Sequence, residues 1–254
     1  MSATRVLAFN SSPHAPAGAT ATILDPFLDG MRAADAEVEL LFPHKLDIKP
    51  CLGCLACWTR TPGRCVQDDA MRGVLAALAR ADIVVYGTPL CVDGMNAQMK
   101  VVLDRSIPLL RPFFVEREGH CRHDRREGCS GGRVALVSMS GFTELDNFDP
   151  LVAHLRAASA NMGREFAGAL LRPYANSLDE LARAGVPVAD VYNACREAGG
   201  QLVRDGSMSP ETLGRVSREL VPRDQYIRAV NVHFRQALER RGVSPEIWDR
   251  FPGH

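Results

Sequence analysis

The chain has 254 residues, 46% hydrophobic and 24% charged, with 30 basic and 30 acidic side chains and a formal net charge of zero. That length admits one large domain, or a core of about 150 residues with an appendage, and the balanced charge offers nothing to attract nucleic acid or a membrane surface. No run of about 20 apolar residues occurs, and the apolar stretch Val6 to Phe9 is too short for a secretory signal core, so the expected location is the cytoplasm.

Arg5–Phe9 is a short apolar run that breaks into a polar segment of small residues, Asn10 to Thr20, before helical periodicity begins over Ala21–Ala34. Glu37–Phe42 predicts a second strand, and a cysteine-rich loop follows it directly. Asp69–Ala81 predicts a helix with an acidic start, and Ile83–Gly87 a continuous apolar strand of the kind covered on both faces. Another loop leads into a helix from Ala97 to about Pro108. The polar, arginine-rich segment Arg111 to Gly132 is bounded by glycine and reads as a surface lid over the site or a subunit contact. Val134–Met139 is the fourth strand, Pro150–Met162 a helix with Asp149 as its N-cap, and Phe166–Leu171 the fifth strand.

From about residue 175 the pattern is helical, over roughly Val188–Arg204, Pro210–Leu220 and Gln225–Arg241. Its apolar stripes, such as Leu213, Val216 and Leu220, then Tyr226, Val230, Val232 and Phe234, require cover from the sheet's helices or a second subunit. Five strands alternating with helices imply an α/β fold, a doubly wound five-stranded parallel sheet over residues 1–174, with a helical extension over 175–254.

Eight cysteines in a reducing compartment argue against a disulfide framework. Four of them crowd into Cys51-Leu-Gly-Cys54-Leu-Ala-Cys57-Trp-Thr-Arg-Thr-Pro-Gly-Arg-Cys65, a run that turns several sulfurs inward from a few residues of backbone. A four-iron cluster asks for such an arrangement; redox-active thiols without metal and a zinc site are the alternatives. Leu52 and Trp58 are expected to help bury these sulfurs. His120, Cys121, His123 and Cys129 are zinc-competent by type but match no ligand spacing. Cys91 and Cys195 stand apart and read as packing residues, and His154 and His233 as solvated or satisfied histidines in helices.

Ligands of an open α/β sheet gather at the carboxyl ends of its strands, near the point where strand order reverses. The Ser11–Thr20 loop falls there, with hydroxyls and amides suited to a phosphate at the start of the following helix. It has neither the lysine of a GxxxxGK loop nor a GxGxxG, which disfavours ATP and a tightly held dinucleotide and suits a mononucleotide such as FMN.

Asn10-x-Ser12-Pro13 with Gly18 and Thr20, the cysteine loop followed by Asp68-Asp69-x-Met71, and Thr88-Pro89 through Gly94-Met95-x-Ala97-Gln98-Met99-Lys100 to Asp104-Arg105 stand in one order over roughly residues 4–172. This combination resembles the flavodoxin-like NAD(P)H-dependent FMN reductases, and among them the iron-sulfur flavoproteins. The resemblance implies a flavodoxin-like fold with the FMN phosphate near Ser12, His14, Gly18 and Thr20. It sets the flavin ring against Thr88, Pro89, Leu90, Cys91, Val92, Asp93, Gly94 and Met95, and the strand-four loop of Ser138, Ser140, Gly141 and Phe142 on its other side. Ser11, His14 and Ala19 stand where the family usually has Gly, Arg and Asn, so the phosphate contacts are made differently.

The activity implied is an FMN-dependent oxidoreductase with NAD(P)H as co-substrate. It passes electrons to a small-molecule or protein acceptor, directly or through a 4Fe-4S cluster held by Cys51, Cys54, Cys57 and Cys65. The alternative is an iron-sulfur flavoprotein that carries electrons without turnover of its own. Hydride transfer to a flavin needs stacking and exclusion of water more than a protein acid or base, so no catalytic side chain is assigned. A homodimer or homotetramer is expected, with no nucleic-acid or membrane partner.

Overall fold

The computed structural model describes residues 3–174, 178–244 and 246. The chain runs β1 (Thr4–Asn10), α1 (Ala19–Arg32), β2 (Ala36–Leu41), α2 (Ala56–Thr59), α3 (Met71–Arg80), β3 (Ile83–Cys91), β4 (Gly94–Met95), α4 (Ala97–Asp104), β5 (Leu110–Arg117), β6 (His120–Arg125), β7 (Arg133–Met139), α5 (Asp149–Asn161), β8 (Glu165–Arg172), α6 (Leu178–Arg183), α7 (Ala189–Asp205), α8 (Pro210–Ser217) and α9 (Arg223–Glu239). Residues 1–218 and residues 219–254 form two compact units, the sheet and α1–α8 belonging to the first and α9 to the second. The expected boundary after residue 174 falls at 175–177, outside the described residues, and the first unit continues beyond it through α6, α7 and α8.

The main sheet has the order β2-β1-β3-β7-β8, with every neighbouring pair parallel, and β4 folds back antiparallel on β3. Strand order reverses between β1 and β3, which makes the carboxyl ends of those two strands the switch point of a flavodoxin-like sheet. Side chains alternate across the strands. One set, including Leu7, Phe9, Val84, Tyr86, Val134 and Leu136, packs with Met71, Val74 and Leu78 of α3, Val102 of α4 and Leu151 of α5. Each such side chain contributes roughly 1.5–3 kcal/mol by leaving water. The other set faces α1, whose Ile23, Leu24, Phe27 and Leu28 are all wholly buried.

α7 lies across α1 at unusually short range. A Cβ on Gly30 of α1 would sit 1.8 Å from the Arg196 carbonyl oxygen, and one on Gly199 of α7 would sit 1.9 Å from that of Phe27. Any larger residue at either point would push the helices apart, so this crossing depends on missing side chains more than on apolar periodicity.

Several boundaries differ from the sequence expectation for local reasons. α4 stops at Asp104 and a 3-10 turn takes over at Ile107–Leu109, because Pro108 has no N–H to give the Asp104 carbonyl and so cannot continue the i to i−4 ladder. Asp149 is the first residue of α5 and not its cap; a 3-10 turn over Asp146–Phe148 feeds straight into the helix and makes Phe148 the cap. The expected lid contains an antiparallel hairpin, β5 with β6, closed by Glu118 and Gly119 at φ 54° and 72°. Two successive left-handed residues are the signature of a type I′ turn.

Candidate functional site

The Asn10–Thr20 loop leaves β1 at the switch point and ends as α1 begins. The Ser11 backbone N–H donates to the Gly87 carbonyl at 2.9 Å and its hydroxyl to the same oxygen at 3.0 Å, so this side chain stitches β1 to β3. Asn10 Oδ1 accepts from the Ser12 N–H at 3.2 Å, and Ser12 Oγ from the His14 N–H at 3.3 Å. A Cβ on Gly18 would stand 2.6 Å from Ser12 Oγ and 2.9 Å from His14 Cβ, so only glycine keeps this cradle open.

Gly18 caps α1 without a side-chain acceptor, and the amides of the first turn have no intrahelical partner. Thr20 Oγ1 and Asn10 Nδ2 are both buried without a hydrogen-bond partner among the described residues. Buried polar atoms left unpaired are costly, and these stand beside a helix end that attracts anions. The residues present therefore fit a phosphate group, held by hydroxyl and amide donors without a protein cation.

The second wall is the β3–β4 hairpin. Leu90 pairs with Met95 and Cys91 with Gly94, and the turn holds Val92 and Asp93 at φ 47° and 58°. A β-branched valine in the left-handed region is strained, and Val92 is wholly exposed at the tip. Asn96, buried behind the hairpin, ties the two walls together. Its Nδ2 donates to the Ser11 carbonyl at 2.5 Å, its Oδ1 accepts from the Met99 N–H at 3.3 Å as the cap of α4, and its own N–H donates to Thr88 Oγ1 at 3.2 Å. On the far side Ser138 Oγ donates to the Thr88 carbonyl at 2.8 Å, and Ser140 Oγ accepts from the Phe142 N–H at 2.9 Å. Phe142 itself is exposed.

The four clustered cysteines are free thiols that line one cavity, with Arg105 also on its wall. Left-handed Gly53 and Leu55 bend the backbone into the single turn α2, which buries Cys57, while Cys51 and Cys54 stay exposed. Gln67 Nε2 closes the loop onto the Pro50 carbonyl at 3.0 Å, and the Trp58 indole N–H is shared between the carbonyls of Ile107 and Leu110. Burial pushes the Cys57 thiol up, and the sulfurs of Cys65, Cys51 and Cys54 act in the same direction. Among the described residues, no three His, Cys, Asp or Glu side chains converge as ligands of a single metal ion.

Behind this loop lies a buried ion pair. Arg105 donates to Asp69 through two parallel bonds of 2.8 and 2.9 Å, with side-chain exposures of 1% and 0%, and Arg105 Nη1 also donates to the Lys49 carbonyl at 2.5 Å. Asp69 accepts from the backbone N–H groups of Lys49 and Met71, each at 3.1 Å. Burial raises the Asp69 carboxyl, but the Arg105 guanidinium and the two amides outweigh it and hold the group below the usual carboxylate range. Burial likewise works against the Arg105 charge, and Asp69 together with Cys65 overcomes it, leaving the guanidinium pKa raised.

The structure thus brings Ser12, Gly18, Thr20, Thr88–Met95 and the Ser138–Phe142 loop to one edge of the sheet, and the four cysteines to one cavity. Two expectations need correction. Leu52 does not cover the sulfurs, being 68% exposed, and Cys91 is no packing residue, since it sits exposed at the end of β3; Cys195 is buried. His120, Cys121 and His123 lie on β6, where alternation sends His120 to the opposite face from the other two. Asn10, Asn96, Asp69 and Arg105 escaped the sequence reading as site residues. An asparagine directly before a helix is a cap signal and was available for Asn96; nothing local marks Asp69 as the partner of Arg105.

Comparison with known proteins agrees with this geometry. The sequence pattern of the NADPH-dependent FMN reductase family matches residues 4–141. An iron-sulfur flavoprotein of Methanocaldococcus jannaschii is 30% identical over 105 residues, 41% of this chain and 53% of that protein. An iron-sulfur flavoprotein of Archaeoglobus fulgidus is 31% identical over 102 residues, 40% and 48% of the two chains. The chain therefore spans about half the length of the curated relatives it matches. In fold it is similar to an FMN-dependent NADH-azoreductase of Bacillus anthracis solved with FMN, at 15% identity and TM-score 0.57, covering 79% of this chain and all of that one. It is similar also to an NAD(P)H:quinone oxidoreductase of Methanothermobacter marburgensis, at 14% identity and TM-score 0.57, covering 79% and 98%. With the family pattern spanning the Asn10–Thr20 loop, the cysteine loop and the β3–β4 hairpin, the chain belongs to the NADPH-dependent FMN reductase family.

Proposed function

We propose that this protein is an FMN-dependent NAD(P)H oxidoreductase, and that Cys51, Cys54, Cys57 and Cys65 hold a 4Fe-4S cluster able to exchange electrons with the flavin. The observation that carries the flavin reading is the buried Thr20 hydroxyl, without a partner among the described residues, at the open start of α1 in a cradle that Gly18 keeps clear. Bound FMN would supply the chemistry, accepting a hydride from reduced nicotinamide and returning electrons singly or in pairs. This chain's residues bind and orient. The first-turn amides of α1 with the hydroxyls of Ser12 and Thr20 hold the phosphate, the β3–β4 hairpin forms a wall for the ring, and Asn96 sets the separation of the two. The exposed ring of Phe142 is available to cover the flavin and exclude water.

For the cysteines, the support is four thiols on one cavity, together with the relatives' description as iron-sulfur flavoproteins. A tetrahedral zinc site would draw its sulfurs to about 3.8 Å from one another, from a Zn–S distance of about 2.3 Å, whereas a cubane binds each thiolate at a separate iron. The acceptor is read as a quinone-like small molecule or a redox protein.

Purified protein should bind one FMN per chain, show flavin absorbance that dithionite bleaches, and oxidise NAD(P)H in the presence of ferricyanide or a quinone. Failure to bind added FMN overturns the reading. Flavin binding with negligible turnover identifies an electron carrier instead.

A further inference from the structure

We propose that Arg105 is the positioning residue of the cysteine cavity, presenting a fixed positive charge and a spare N–H donor to the anionic sulfurs of the cluster and so raising its reduction potential. This inference rests on the cluster reading above. Arg105 is among the largest fully buried side chains of the protein, and its Nη atoms are already committed to Asp69 and to the Lys49 carbonyl. Its Nε, also buried, has no acceptor among the described residues. The side chain lines the cavity shared by the four cysteines, Cys65 among them, while Asp69 stands behind it and is not part of that wall. The pair is therefore neutral as a whole but turns its positive end toward the sulfurs.

The geometry also explains why the residue is an arginine. A planar fork can give two parallel bonds to Asp69 and still keep Nε–H for another acceptor, which the compact ammonium of lysine cannot do from one fixed position. Asp69 is in turn immobilised by the amides of Lys49 and Met71, so the guanidinium cannot swing away. Lys49 lies two residues before Cys51, and its N–H and C=O are both held by this pair, so one device fixes the loop's entry and its electrostatics. Four thiolates give a cubane a net negative charge, and reduction by one electron adds another. A cation and an N–H donor at the sulfurs favour the reduced form and raise the potential.

The test compares the wild-type protein with Arg105→Lys and with the neutral pair Arg105→Gln/Asp69→Asn, which leaves no uncompensated buried charge. Each is prepared anaerobically, supplied with iron and sulfide, and assayed for iron, FMN and melting temperature. Cluster and flavin midpoint potentials are then read in one dithionite titration. The expected result is a cluster midpoint displaced to more negative values in the neutral pair and by less in Arg105→Lys, with the flavin midpoint unmoved. Loss of iron from the neutral pair while FMN and melting temperature are retained also supports the role. Variants that hold iron at the wild-type potential overturn it and leave Arg105 as a structural staple. Wild-type protein that binds FMN but takes up no iron overturns the cluster reading, and this role with it.

Discussion

The Asn10–Thr20 cradle is held by hydrogen bonds between neutral groups, from Asn96 to Ser11, Ser12 to Asn10 and His14 to Ser12. The cysteine loop, Cys51–Cys65, has Lys49 at its entry held on both backbone groups by a buried ion pair outside itself, Asp69 with Arg105. The contrast follows from what each would bind. A phosphate can be met by backbone amides and hydroxyls at a helix start, so no charge needs burying there. Thiolates around a metal cluster repel one another, and a fixed cation nearby offsets that repulsion. Distributed neutral bonds are worth about 1 kcal/mol each, and losing one is survivable, whereas splitting a buried ion pair strands a charge.

The sharpest way to break this comparison is Arg105→Ala, which leaves Asp69 ionised and unpaired in the interior. Chemical denaturation should register a loss of about 3–5 kcal/mol, with the Arg105→Gln/Asp69→Asn pair losing clearly less. Equal losses in the single and the paired substitution would mean that the ion pair does not dominate the loop.

On the cradle side, Gly18→Val should have the largest effect, since its Cβ alone would lie 2.6 Å from Ser12 Oγ. Overpacking of about 1–3 kcal/mol predicts an FMN affinity lowered about ten- to a hundredfold, measured by fluorescence quenching on titration. Thr20→Val keeps the shape and removes only the hydroxyl. Without FMN its melting temperature should hold or rise, because a buried unpartnered group has gone, while FMN binding weakens about tenfold. A Thr20→Val protein with undiminished FMN affinity would remove this hydroxyl from the phosphate site.

The smallest effect is the pH dependence. The folded-state pKa of Asp69 lies below its unfolded value of about 3.9, so its contribution to stability is complete above that value and is lost as pH falls through the folded pKa. Below about pH 4 the wild type should therefore lose stability faster than the Arg105→Gln/Asp69→Asn pair, in parallel denaturation curves. Curves that stay parallel down to the folded pKa would contradict the buried pair's share in acid stability.

Much of the cradle was legible in the chain because its signals are local. Small residues follow an apolar run, Gly18 precedes a helical period, and Thr20 opens that helix, all within one strand-to-helix turn. The β5–β6 hairpin was not legible as strands: its side chains are largely polar or exposed, and the ladder between Phe114 and His123 or Arg117 and His120 leaves no apolar alternation to read. The close crossing of α7 over α1 was hidden for the opposite reason, since Gly30 and Gly199 contribute by absence.

By itself the sequence determined the five strands, their alternation with helices, the loops that reach the carboxyl edge and the crowding of four sulfurs, because periodicity and spacing are dictated over a few residues of backbone. Only the tertiary structure decided that Asn96 reaches Ser11 across 85 positions and Arg105 reaches Asp69 across 36, and that the Thr20 hydroxyl is buried with no partner among the described residues. The physical reason is that a polar group's partner becomes consequential when the fold removes water from it, and burial belongs to the assembled sheet and helices, not to any one stretch of chain.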